Sequence, residues 1–514
     1  MRLQLPKPSL LWLGINLLAG ALIPLCFAPF NFWPAGILST AILATSLYNS
    51  QGKLAFRRSL AFGLGMFGVG TSWVFVSIHE FGNAPLPFAG LLTALFTLLL
   101  ASVFAIPFGL RGRWLNSSNW MFALSFPATW LLSEWLRTWL FTGFPWLFLG
   151  YGHIHTWLSG WAPVFGVLGL GYIVALTGTT VSFAARHPRQ PRQWAAIALL
   201  TAAFWALGLV LKQVSWTQDY QTPKTVGIAQ GNIPQDKKWD TDFVEPTLQR
   251  YGQLSESLWE NDWVIWPEAA IPLILNYRPH SEALEPALQN IKSRALATNT
   301  TFITGILYLS PVDRKFYNSV VATGLGNGIY HKQRLAPFGD YVPLSDWLGP
   351  LLELFNLPHS ILVLGPPNQR GLQAGGALLS PAICYEVAYP DLVAQGARNS
   401  HVLITVSNDA WFGSSLGPIQ HMQIAQMRAI ENQRYMIRST NNGISGIIDH
   451  KGNILARSEQ FVAQAIESEV VLKSGTTPFM AWGSTPSVLF SFLLIAIHGI
   501  FLRVNRGRKP SIKQ

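Results

Sequence analysis

Residues 378–391 read LLSPAICYEVAYPD. The first half is small and apolar and ends at Ile383, as a buried strand would, and Cys384 then opens a polar turn containing Tyr385, Glu386, Tyr389 and Pro390. A thiolate is the strongest nucleophile among ordinary side chains. A strand-to-helix turn would expose the sulfur and offer backbone N–H groups to a developing oxyanion. From this stretch alone, a buried cysteine acting as a small hydrophobe is an equal alternative.

Half of the 514 residues are hydrophobic and 12% are charged, and the chain carries 21 Trp and 31 Phe. That is the composition of a membrane protein. Apolar runs near the length of about 20 residues that crosses a bilayer fall at 10–27, 32–48, 59–78, 86–110, 120–140, 162–183, 194–211 and 486–502. Seven spans, a polar block and an eighth span are therefore expected. The first run is followed at once by a second with no small-residue cleavage pattern between them, which argues against a cleaved signal peptide.

The net charge of +11 would suit nucleic acid if it were clustered in one domain. Instead the basic residues flank alternate connections: Arg2 and Lys7; Lys53, Arg57 and Arg58; Arg111 and Arg113; Arg186, Arg189 and Arg192; Arg503, Arg506, Arg508 and Lys509. The intervening loops 28–31, 79–85 and 142–161 carry no Lys or Arg. The positive-inside rule then places both termini in the cytoplasm and the block from 212 to 480 outside it, in the periplasm of a bacterium. No nucleic-acid partner is expected. Of the two cysteines, Cys26 lies in the first run and Cys384 in the outer block. A lone thiol in an oxidising compartment is anomalous unless it is used.

Within the spans, Glu134 and Arg137 are three apart on one helix and so placed to pair as a structural ion pair. The loop FTGFPWLFLGYGHIHTWLSGW at 141–161 is crowded with aromatics suited to the headgroup level, and Trp146 is a candidate to line a lipid entrance. His153 and His155 have no Cys, Asp or Glu cluster beside them, so no metal site is expected.

From residue 225 short apolar runs alternate with helical periodicity. Strands are expected at 225–230, 263–266, 301–309, 316–323, 378–384, 402–406 and 444–448, and helices at 243–259, 281–298 and 418–432. This is the pattern of a layered α/β domain. Three polar positions follow its apolar runs. WVIWPEAAIP puts Glu268 between apolar neighbours, where burial is expected to raise its pKa toward that of a general base. YHKQRLAPFGDYVP puts Lys332 after a short strand, followed by Asp340, and an ammonium there is suited to a tetrahedral oxyanion. AICYE supplies Cys384. A base, a cation and a nucleophile form a complete acyl-transfer set.

WPEAAIP, HKQRLAPFGDYVP and AICYEVAYPD, in this order, resemble the Glu-Lys-Cys motifs of the nitrilase superfamily, and GNIPQDKKW at 231–239, SNDAWFG at 407–413 and the stretch 423–446 support the likeness. With spans on both sides, the whole chain resembles the bacterial apolipoprotein N-acyltransferase family. The resemblance implies a multi-pass bundle of eight spans carrying an α-β-β-α sandwich, divided as 1–211, 212–480 and 481–514. It implies transfer of a fatty acyl chain from a phospholipid donor, through a Cys384 thioester, to the α-amine of a diacylglyceryl-cysteine on an apolipoprotein acceptor, at the bacterial inner membrane and with no cofactor. It makes Glu268 the general base, Lys332 the oxyanion partner and Cys384 the nucleophile. Tyr385 and Glu386 take supporting positions, as does Asp340, where the family more often has Glu. Trp239 and Trp411 are candidates for the acyl or headgroup pocket, with core packing the alternative. The Pro- and Gly-rich segment 357–376 is a lid candidate. Two rivals remain open from the residues: a membrane-tethered amidase using water, and a transporter or receptor with a degenerate outer domain.

Overall fold

A computed structural model describes residues 8–115, 120–189, 191–336, 340 and 362–507. The chain divides into two compact units, one of Met1–Ser72, Gly90–Val214 and Trp482–Gln514, the other of Trp73–Ala89 and Ser215–Ala481.

The second unit is a four-layer sandwich built on two seven-stranded sheets. In one, Lys224–Gln230, Trp263–Ile265 and Thr301–Leu309 run parallel, with Gln464–Val470 and Phe316–Gly324 added antiparallel on either side. In the other, Ala377–Ile383, Val402–Ser407 and Met436–Thr440 are parallel and Leu372–Ala374 pairs antiparallel with the first. Successive strand side chains point to opposite faces. Thus Val226, Ile228, Trp263 and Ile265 meet Leu379, Ile383, Val402 and Ile404 between the sheets. The alternate residues Ala229, Val264 and Trp266 turn outward to Leu284 and Ala295 of the helix Arg278–Ala297. Both faces are covered, which is why these strands read as unbroken apolar runs.

Every expected strand is present within a residue or two, except that 444–448 shortens to Gly446–Ile448. The expected helix 243–259 breaks into Val244–Leu254 and a short 3-10 turn at Ser257–Glu260. Met436–Thr440 was not expected, because a buried Arg438 interrupts its apolar pattern. Of the lid candidate 357–376, residues 357–361 lie outside the described residues. The rest is stitched down: Leu372–Ala374 is a strand, and the Gly365 N–H donates to the Lys332 carbonyl at 2.7 Å.

In the first unit, four described helices are long and apolar enough to cross a membrane: Leu86–Trp114, Trp157–Arg186, Trp194–Leu211 and Thr485–Asn505. Gly52–Gly70 passes only when counted with Val74–Phe81 as a broken span, and Leu10–Cys26 and Pro34–Leu47 are shorter. The expected run 120–140 forms a helix only over Met121–Leu136. Helices Pro8–Ala21 and Gly52–Gly70 touch through backbone: a Cβ on Gly20 would collide with the Phe62 carbonyl, and one on Gly65 with that of Leu17. Small residues permit this approach, the usual means of helix association where no water drives it.

Rather than pairing with each other, Glu134 and Arg137 hold the aromatic loop. The Leu149 N–H donates to Glu134 Oε1 at 2.7 Å, and Arg137 Nη1 donates to the Trp146 carbonyl at 2.7 Å. The loop backbone turns into the protein and supplies better-placed partners than the helix does. The Trp146 ring is buried inside this unit, stacked with Phe144.

Candidate active site

The nucleophile candidate sits where the strand Ala377–Ile383 ends and a 3-10 turn begins at Cys384. Cys384 has φ 53°, in the left-handed region that a side chain enters at a cost of about 1–3 kcal/mol. Two sets of bonds hold it there. His421 Nε2 donates to the Cys384 carbonyl at 3.1 Å. One residue back, the Ile383 N–H donates to Glu386 Oε2 at 2.6 Å.

Glu386 also receives the N–H groups of Gln333 at 2.5 Å and Arg334 at 3.1 Å, and the Tyr330 hydroxyl at 3.2 Å. Its carboxylate thus ties the turn bearing Cys384 to the loop bearing Lys332. Burial pushes Glu386 up to about 7, although the Ile383 and Gln333 N–H groups pull the other way. Tyr385 is buried edge-on to Tyr389.

Glu268 follows the strand Trp263–Ile265 and is buried. Asn318 Nδ2 donates to its Oε1 at 2.7 Å, Lys332 Nζ to the same oxygen at 3.2 Å, and the Asn408 N–H to Oε2 at 2.8 Å. The expected rise in its pKa does not occur. Burial raises it, but Lys332, Lys238 and the Asn318 hydrogen bond together bring it below the ordinary carboxylate value. A carboxylate held this low would accept a thiol proton only in the transition state, where sulfur is already bonding to carbon.

Lys332 is 1% exposed and lies between two carboxylates, Glu268 at 3.2 Å and Asp340 Oδ2 at 2.7 Å. The Ala336 N–H donates to the same Asp340 oxygen at 2.7 Å, so the shorter acid reaches the lysine with its carboxylate fixed from Ala336. Burial alone would lower the Lys332 pKa, but Asp340 and Glu268 hold it well above the usual lysine value. It stays charged at every working pH.

Burial pushes the Cys384 thiol up to about 12. Glu268 and Asp409 add to the rise, while Lys332 and a hydrogen bond from Ser407 oppose it. Glu268 and Lys332 thus both act on this sulfur, and the resting set is thiol, carboxylate and ammonium. The arrangement can deprotonate a nucleophile as it attacks a carbonyl and can hold the resulting oxyanion.

Two groups here escape a reading of the sequence. Lys238, in GNIPQDKKW, is buried and donates from Nζ to the Glu268 carbonyl at 2.9 Å. Behind Cys384, Asp409 takes Arg438 Nη2 at 2.5 Å and the Ser407 hydroxyl at 2.6 Å, and lies 3.0 Å from His421 Nδ1. The Ser-Asn-Asp run was visible as a motif, but its partners come from a distant helix and strand.

Of the tryptophan candidates in this unit, Trp239 is exposed. Trp411 is partly buried against Phe81, with its carbonyl accepting from Ser77 Oγ at 2.6 Å. His153, in the other unit, bonds Thr156.

Sandwich and buried Glu-Lys-Cys set together define a nitrilase-type carbon–nitrogen hydrolase domain, and a family model described as carbon-nitrogen hydrolase matches residues 225–476. A second, described as the apolipoprotein N-acyltransferase N-terminal domain, matches residues 19–180. Full-length relatives agree. Apolipoprotein N-acyltransferase of Azotobacter vinelandii is 41% identical over 94% of this chain and 94% of its own length. The Pseudomonas aeruginosa protein of that name is 41% identical over 97% and 98%, and that of Coxiella burnetii 38% over 94% and 99%. The chain belongs to the apolipoprotein N-acyltransferase family and is an acyltransferase.

Proposed function

We propose that the enzyme N-acylates apolipoproteins in two half-reactions at Cys384. In the first, the sulfur attacks the ester carbonyl of a phospholipid while its proton passes to Glu268, and Lys332 faces the oxyanion. The ester C–O bond then breaks, Glu268 returns the proton to the departing alkoxide, and a lysophospholipid leaves a thioester behind. In the second, the α-amine of a diacylglyceryl-cysteine attacks the thioester. Glu268 takes a proton from nitrogen and delivers it to the thiolate as the C–S bond breaks. An amine opens a thioester far more readily than an ester, which is the gain from passing through sulfur.

The observation that carries this reading is Lys332 held between Glu268 and Asp340, with Glu268 and Lys332 both acting on Cys384, whose left-handed turn lies at a strand end. Asp340, Tyr385 and Glu386 support it by position, and Trp239, Trp411 and Trp146 remain the substrate-contact candidates. The charge pattern of the connections supports eight crossings of the bacterial inner membrane with both termini cytoplasmic, and a periplasmic catalytic block between 1–211 and 481–514. Both substrates would then be held in the outer leaflet, which accounts for a bundle larger than a tether requires. The test is intact mass after incubation with phospholipid and no acceptor. An acyl adduct on Cys384 that disappears on adding a diacylated peptide is expected, and no adduct, or one that survives Cys384→Ala, would refute the scheme.

A further inference from the structure

Beside Glu268 lies a buried cation that the scheme above does not use. Lys238 is 4% exposed and its ammonium has three N–H donors, of which one is given to the Glu268 carbonyl. Its charge acts on both the Glu268 carboxylate and the Cys384 thiol. The stretch that carries it is fastened to the site at two points. Asn408 Nδ2 donates to Gln235 Oε1 at 2.7 Å, and the Ile233 N–H donates to Asn441 Oδ1 at 2.9 Å. Asn408 is also the residue whose N–H holds Glu268. The lysine is therefore placed by the same scaffold that places the base.

The charges around the sulfur can be counted. Three carboxyl groups, Glu268, Asp340 and Glu386, bear on Lys332 and the thiol is neutral, so Lys332 alone leaves the buried set with an excess of acidic groups. We propose that Lys238 is the charge-balancing residue of this site, offsetting that excess while negative charge passes from Glu268 to sulfur and then to the carbonyl oxygen. The inference rests on the thioester scheme for its second half, but not for its effect on the thiol.

A pH dependence follows. Burial lowers Lys238 to about 8, against the opposing pull of Glu268 and Cys384, while Lys332 is held far above that value. Asp409, the other charge acting on the sulfur, is paired to Arg438 and stays ionised. Glu386, pushed up to about 7, ionises below the range in which Lys238 loses its proton, so the change in charge above about pH 8 is that of Lys238. Acylation should therefore slow on the alkaline side, although thiols in general become more reactive there.

The experiment uses full-length enzyme in detergent and two readouts. In the first, iodoacetamide alkylation of Cys384 is followed by peptide mass without lipid. Lys238→Met should slow it at least about tenfold at neutral pH, because removing a nearby cation raises a thiol pKa by about one unit or more. An unchanged rate overturns the inference. In the second, acyl-adduct formation from phosphatidylethanolamine in mixed micelles is measured against pH. Wild type should lose rate above about pH 8, and Lys238→Arg, whose charge does not titrate, should keep it. A wild-type rate that keeps climbing through pH 9 overturns the inference even if Lys238→Met fails to fold. Absence of any wild-type adduct, with alkylation still sensitive to Lys238→Met, would instead count against the thioester scheme alone.

Discussion

Asp409→Asn tests whether the network behind the nucleophile is essential to its geometry. Asp409 and Arg438 are both buried, 2.5 Å apart. At an effective dielectric of about 20 their gross attraction is ~7 kcal/mol, most of it offset by desolvation. Removing only the anion strands a buried guanidinium, and such changes cost about 3–5 kcal/mol. For a domain of this size that lowers the thermal midpoint by roughly 10 °C. Burial raises the Asp409 pKa, but Arg438, His421 and Ser407 bring it far below the carboxylate range. A depressed folded pKa contributes stability that is present above the unfolded value and lost as pH falls through the folded one. The gap between wild type and variant should thus be full at pH 7 and narrow below about pH 4. A second effect reaches the chemistry. His421, which donates from Nε2 to the Cys384 carbonyl, accepts at Nδ1 from the Arg438 that Asp409 holds, so below its melting point the variant should acylate more slowly as the left-handed turn relaxes. Thermal unfolding followed by intrinsic fluorescence, with adduct formation at 15 °C below each midpoint, measures both. An unchanged midpoint at pH 7 would refute the energetics, and a folded variant with wild-type acylation would refute the link to Cys384.

Three other outcomes are expected. Glu268→Gln removes the proposed proton acceptor and sets an amide N–H against the donors from Asn318 and Asn408, so it should reduce adduct formation by about 10²–10⁴-fold, measured by intact mass, and lower thermal stability as well. Asp340→Asn removes one of the two anions holding Lys332; acylation should fall by tenfold or more, and Asp340→Glu should restore part of it, whereas an inert Asp340→Asn would show that the 2.7 Å contact is only structural. Glu386→Gln places an amide N–H against backbone donors from both the cysteine turn and the lysine loop, so thermal stability and acylation should fall together, and loss of either alone would contradict its role as their tie.

Much was legible in the chain itself because the physics involved is local. Short apolar runs announced the strands that prove to be parallel, except Met436–Thr440, where Arg438 breaks the run. Three polar residues at the ends of apolar runs, Glu268, Lys332 and Cys384, stood out as candidates by their neighbours, and the fold buries all three, with Glu268 and Lys332 3.2 Å apart. What tertiary structure alone decided concerns fields and long-range partners. Glu268 looked destined for a raised pKa because its neighbours in sequence are apolar. Its neighbours in space are Lys332, Lys238 and Asn318, and a charge responds to distance through space. Asp340 looked too short, yet its Oδ2 lies 2.7 Å from the lysine. Lys238 passed as one basic residue among many, and only burial beside Glu268 singles it out. Sequence periodicity reports which face of an element avoids water, but the sign and size of an electrostatic shift depend on which groups several hundred residues of chain bring within a few ångströms.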